Sequence, residues 1–186
     1  MQHDPGSPAD RLLAYPHAAL RAQAAPVKEI DDGVRALAAR MLETMYAHSG
    51  IGLAANQVGA AWRVFVYDLS EERNRPAMLA NPAIVAADSE KLPYEEGCLS
   101  LLEARGTVKR PQAVTIEAID VASGEPVRFD SKTHLEAVCL QHEIDHLDGV
   151  LFFDHMSRLQ RDRLLKRYDK ACAERAQRDG DAAATA

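Results

Sequence analysis

Apolar residues Ile30, Val34, Leu37, Met41 and Met45 recur at helical spacing and predict an amphipathic helix over residues 30–47. Asp31 and Asp32 stand where a helix dipole favours negative charge, and Ser49-Gly50 ends the run. The next stretch, GIGLAANQVG (50–59), is glycine-rich and too irregular for a helix. It leads into WRVFVYDL (62–69), a run of strand length, apolar enough to be buried. PAMLANPAIV (76–85) predicts an extended segment broken at Asn81-Pro82. AVTIEAID (113–120) and EPVRFD (125–130) flank the turn pair Ser123-Gly124 and predict a hairpin. A second helix is expected over 132–147, opened by Thr133 and Glu136 in a capping-box pattern and stopped at Gly149. A third, arginine-rich helix is expected over 155–178. Strands cluster in the middle while helices stand apart, so the pattern predicts an α+β class rather than repeating β-α units. The arrangement expected is antiparallel strands around a central helix, with an amphipathic helix before them and a basic one after. One domain over 1–175 is expected, with a flexible start at 1–10 and a flexible tail at 176–186.

Composition narrows the partners. A chain of 186 residues, 47% hydrophobic and 27% charged, holds one domain with a real core. No apolar run reaches the roughly 18 residues of a membrane span. The opening MQHDPGSPAD carries two Asp and no Lys or Arg, unlike a secretory or transit signal, so a cytoplasmic location is expected. Cys98, Cys139 and Cys172 are an odd set without a secretory signal, which argues against a disulfide framework. A net charge of −6 argues against general binding to DNA or other nucleic acid. The last helix departs from that balance: between Arg158 and Arg178 eight basic and three acidic residues leave a local charge of +5. Such a run is ordinarily a solvated face.

The candidate chemistry lies on the second helix, in LQHEIDHLDG (140–149). His142 and His146, one turn apart, can share an ion, and Glu143 can point at that site without ligating. The identity of the third ligand separates the possible hydrolases. A metzincin needs a third His where this chain has Phe152, and a phenyl ring cannot ligate. Glu174, the only glutamate after the motif, has no recognisable motif around it. Upstream, Cys98 follows a glycine in EGCLS (96–100) and is the best candidate for a soft anionic donor. Three such donors suit several borderline metals.

GIGLAANQVG, EGCLS and QHEIDH, in that order, resemble the three signature motifs of peptide deformylases. The flanking ANPAI, GVLFFDHMS and the basic last helix resemble that family too, so the likeness covers about 11–170. The resemblance implies hydrolysis of the N-formyl group from the initiator methionine of nascent chains, releasing formate. It implies Cys98, His142 and His146 as ligands of Fe2+, which Zn2+, Ni2+ or Co2+ can replace. It further implies Glu143 as proton carrier, and the Gln57 amide with the backbone N–H of Leu99 as oxyanion donors. Ile51, Tyr94, Leu135, Val138 and Cys139 would line a methionine pocket, Gly52 would let the peptide lie alongside as an added strand, and Arg105 would contact the peptide. The family's C-terminal helix docks on ribosomal RNA, which gives the +5 segment a second reading. Asn56 and Leu102 depart from the commoner family residues. Glu96 and Arg110 are expected to form a structural ion pair, and Asp145 reads as an exposed helix carboxylate. The competing readings are another metal-dependent amidase or protease, and a binding module that keeps its metal for stability.

Overall fold

The computed structural model describes residues 12–101 and 104–184. The expectations for residues 1–10 and for Leu102 lie outside the described residues. Among the described residues three α-helices, α1 (Asp32–Ala47), α2 (His134–Leu147) and α3 (Arg158–Ala184), accompany seven strands. The strands are β1 (Gly52–Ala54), β2 (Val64–Tyr67), β3 (Ala77–Ala87), β4 (Lys91–Gly97), β5 (Arg105–Pro111), β6 (Val114–Asp120) and β7 (Pro126–Asp130). Five of them make an antiparallel sheet in the order β1-β2-β3-β6-β7, and β4 pairs with β5 in a separate hairpin. The α+β class expected from the pattern is the class observed.

The sheet is a partition between two helices, and β2 shows why its sequence is apolar throughout. Val64 and Val66 pack with Leu37, Met41 and Met45 of α1, while Phe65 packs with Leu140, Ile144 and Leu147 of α2. Alternate side chains of a strand point to opposite faces, so a strand covered on both sides has no polar phase. Each fully buried side chain of this kind stabilises the fold by about 1.5–3 kcal/mol. A third cluster, with Leu101, Val108, Phe152, Phe153, Leu164 and Tyr168, joins the β4–β5 hairpin to α3.

Local chemistry sets the element ends. Asp31 caps α1 by accepting from the Val34 N–H at 2.9 Å. Thr133 caps α2 by accepting from Glu136 N–H at 3.1 Å, and the Glu136 carboxylate reaches back to Lys132 N–H at 2.6 Å. The expected break at Asn81 is a bulge within one continuous strand, β3, with Asn81 at φ 50°. Its amide accepts from Val27 N–H at 2.8 Å and donates to Val27 C=O at 2.7 Å, tying the N-terminal segment to the sheet.

Three parts differ from expectation. GIGLAANQVG contains a three-residue edge strand and a 3-10 turn over Ala55–Val58, both too short to display a period. The β4–β5 hairpin has no counterpart among the expected strands; it carries Pro93 and Pro111, which a two-stranded pair with open edges tolerates. The backbone of residues 176–184 continues α3.

Candidate active site

Helix α2 buries polar residues that a solvent-facing helix would expose. Gln141, His142, Glu143 and His146 are 5%, 9%, 4% and 1% exposed, so each needs a partner or a task. Cys98, just after β4, arrives against this face: its Sγ lies 3.2 Å from His146 Nε2. One donor atom each from Cys98, His142 and His146 lies within 4.8 Å of the other two. A thiol and two imidazoles at that spacing could hold one borderline divalent cation. His146 Nδ1 and Glu143 Oε2 are buried without hydrogen-bond partners among the described residues.

The surroundings fix these groups. Glu96, at the end of β4, accepts from His142 Nδ1 at 2.7 Å, which leaves Nε2 to face the cluster. Arg110 on β5 clamps the same carboxylate through Nε at 2.7 Å and Nη2 at 3.0 Å. Burial opposes the Glu96 charge, but the His142 and Arg110 hydrogen bonds outweigh it and bring its pKa down to about 2. Arg110 also binds Asp145 at 2.5 Å, and Asp145 meets His155 Nε2 at 2.7 Å. Asp145 is therefore a buttress of the histidine-bearing helix, not the free carboxylate expected from its sequence position. The expected Glu96–Arg110 pair is present.

Burial works against charge on His142, yet Cys98 and Glu96 hold its pKa well above the ordinary value. His146 is pushed the other way by burial and by the neighbouring His142. Donors that contend for one proton in a buried cluster are a set that a cation satisfies. Burial, the largest influence, pushes Glu143 up to about 7; Glu96 and Asp145 add to this and His142 opposes it. That value suits a group that must both take and give a proton near neutrality.

A cavity of roughly 440 Å³ opens over this cluster. It is lined by Gln57, Cys98, Leu99, His142 and Glu143, together with Ile51, Gly52, Tyr94 and Arg105. Leu135, Val138 and Cys139 complete the α2 side, so of the thirteen residues singled out from sequence only His146 lies behind the lining. Gln57 is held by Ala54 N–H donating to its Oε1 at 2.8 Å, with its Nε2 directed to Ser100 Oγ at 3.1 Å and Cys98 Sγ at 3.5 Å. Gly52 is obligatory: a Cβ there would collide with the Glu143 carboxylate and lie 3.0 Å from Cys139 Sγ. Phe152, which rules out a third histidine, stacks on His142 with ring centroids 6.2 Å apart.

Sequence reasoning passed over two contributors. Asn56 is 2% exposed and its Nδ2 donates to the His146 carbonyl, joining the GIGLAANQVG segment to the histidine helix. His155 braces Asp145. Neither has a local signal, since each acts through a contact distant in sequence.

A buried Cys-His-His cluster, a neighbouring carboxylate and an open apolar cavity, set between an antiparallel sheet and a hairpin, define a metallohydrolase-type site. Residues 9–162 match the family model described as polypeptide deformylase. A peptide deformylase of Phenylobacterium zucineum is 48% identical over 161 residues, covering 86% of this chain and 94% of its own. That of Azotobacter vinelandii is 47% identical over 86% of this chain and 94% of its own. Among solved structures, a Legionella pneumophila peptide deformylase aligns with TM-score 0.83 at 38% identity, over 89% of this chain and 96% of its own. One from Synechococcus elongatus, in complex with actinonin, aligns with TM-score 0.80 at 38% identity, over 87% of this chain and 88% of its own. The chain belongs to the peptide deformylase family, metal-dependent hydrolases that remove the N-formyl group from nascent polypeptides. Among the described residues no helix is long and apolar enough to cross a membrane.

Proposed function

We propose that Cys98, His142 and His146 hold a single divalent cation, Fe2+ natively, with Zn2+, Ni2+ or Co2+ able to replace it. The observation that carries this reading is the convergence of their three donor atoms within 4.8 Å, with Cys98 and His142 on the cavity wall and His146 buried behind it. When bound, the cation supplies Lewis acidity and brings the attacking water towards neutral pKa. Glu143 accepts the proton released as water attacks the formyl carbon, and returns it to the nitrogen of the leaving amine. That nitrogen departs poorly as an anion, so the returned proton is what completes the cleavage. The Gln57 Nε2 and the Leu99 backbone N–H donate to the oxyanion that develops on the formyl oxygen.

Ile51, Tyr94, Leu135, Val138 and Cys139 enclose the unbranched methionine side chain in an apolar wall. Gly52 lets the peptide backbone run along the edge of β1 as an added strand. Arg105 meets the peptide beyond the methionine. The basic residues of α3 give the chain a salt-sensitive affinity for ribosomal RNA, and its work is cytoplasmic.

The test is anaerobic reconstitution with Fe2+ followed by formate release from formyl-Met-Ala-Ser, with acetyl-Met-Ala-Ser and Glu143→Ala as controls. Formate from the intact chain alone, and no acetate, is the expected result. Metal uptake at Cys98, His142 and His146 without formate release would overturn it.

A further inference from the structure

The floor of the peptide-binding edge is held from outside the site, by the loop that joins β2 to β3. Gly50 and Ile51 precede β1 and line the cavity. Their carbonyls are both taken by the loop side: Arg73 Nη2 donates to Gly50 C=O, and Asp68 N–H donates to Ile51 C=O at 2.9 Å. Arg73 is fixed in turn, its guanidinium 5.7 Å over the Tyr46 ring. The Tyr46 hydroxyl donates to Asp68 Oδ2 at 2.6 Å. Asp68 is 2% exposed, and its other oxygen accepts from Ser70 N–H at 2.9 Å and Ser70 Oγ at 2.7 Å.

Two features show that this arrangement is held under constraint. Arg73 sits at φ 51°, a left-handed conformation that residues other than Gly, Asn and Asp seldom adopt. Gly50, the residue it grips, is pressed on the catalytic segment: a Cβ there would lie 2.6 Å from Leu99 Cδ1 and 3.3 Å from Met45 Cγ. A shift of the Gly50 peptide would therefore move the edge on which substrate lies.

We propose that Arg73, seated by Tyr46 and Asp68, is a positioning residue that sets the peptide-binding edge at Gly50–Gly52. This rests on the reading that the substrate backbone runs along that edge. Arg73 touches neither substrate nor reacting atoms, so it governs how well a peptide is held rather than how fast a held one reacts.

The experiment compares steady-state deformylation of formyl-Met-Ala-Ser and formyl-Met by the Fe2+-loaded wild type, Arg73→Gly and Arg73→Lys, with thermal melting of each. Glycine accepts the left-handed backbone, so Arg73→Gly removes the guanidinium while leaving the turn relaxed. Its KM for the tripeptide is expected to rise about tenfold, as for one lost charge-assisted hydrogen bond, with kcat within about twofold. Its KM for formyl-Met, too short to use the edge, should change little, its melting point should hold, and Arg73→Lys should recover part of the tripeptide KM. An unchanged tripeptide KM, or a loss confined to kcat, overturns the proposal. A wild type that handles tripeptide and formyl-Met alike overturns instead the edge reading beneath it. Should Arg73→Gly melt early, Tyr46→Phe, which keeps the ring and releases Asp68, must show the same KM trend for the proposal to stand.

Discussion

Helices α2 and α3 carry similar densities of polar residues and use them in opposite ways. In α2, Gln141, His142, Glu143 and His146 are buried, and their neighbours Glu96, Arg110 and Asn56 are buried with them. In α3 the charges face water: Arg158 and Asp162 stand 3.8 Å apart with side chains 89% and 56% exposed, and the Lys170–Glu174 pair is similarly open. Among the described side chains of α3 only Leu164 and Tyr168 are buried, Tyr168 donating to the Tyr15 carbonyl at 2.7 Å. Solvated charge needs no partner and contributes little, whereas buried charge must be paired or employed. Helix α2 thus holds buried groups that need partners, while α3 presents solvated charge.

That contrast fails if the buried set tolerates change. The largest expected effect is in Glu143→Ala, whose kcat should fall by ~10²–10⁴ while metal content by elemental analysis is retained. Gln57→Ala should lower kcat by ~10²–10³, provided its amide serves the oxyanion; a change below tenfold would reduce it to loop architecture. Arg110→Ala leaves Glu96 buried, and Asp145 half-buried, without their guanidinium, and should destabilise the fold by about 3–5 kcal/mol in denaturant titration. Smaller effects belong to partly exposed groups. Burial raises the pKa of Asp154, but Arg21 and the Leu151 N–H outweigh it and hold it below the ordinary value. Its contribution is therefore complete above the unfolded pKa near 3.8 and is lost as pH falls through the lower folded value. With solvent screening it amounts to well under ~1 kcal/mol, and Asp154→Asn should flatten that acid limb of the stability curve. Least of all, Lys170→Ala should change stability by no more than ~0.5 kcal/mol; a larger loss would mean that α3 is not merely solvated.

Regular elements and the two-histidine helix were legible because their signals are local. Helix α1 announces itself by Val34, Leu37, Met41 and Met45 on one face, and α2 by its Thr133 cap and the His-Glu-x-x-His spacing within a single turn. Cys98 became legible only beside that spacing, since a lone cysteine after glycine has no period to betray it. The supports were legible only in part. The Glu96–Arg110 pair was expected, but not the hairpin that brings the two together, and Asp145 finds His155 through a turn rather than a helix face. Arg73 reaches Gly50 across 23 residues of sequence. Short-range pattern finds the candidate reacting residues; the contacts around them are defined only once the chain has closed on itself.

The site also stands at a junction. Cys98 belongs to the cluster that joins the hairpin to α3, Leu53 and Ala55 to the one beneath α1, and Ile144 to the one beneath α2. Three separately packed interiors thus anchor the segments around one cavity: Cys98 lines it directly, while Leu53 and Ile144 adjoin its lining residues Gly52 and Glu143 in the chain. The three signature strings can be read as cassettes but cannot be transplanted as cassettes. Grafted onto another scaffold, the letters would arrive without the interiors that hold them at working distance. An engineer who wants this chemistry elsewhere must carry over the meeting point, which is nearly the whole fold.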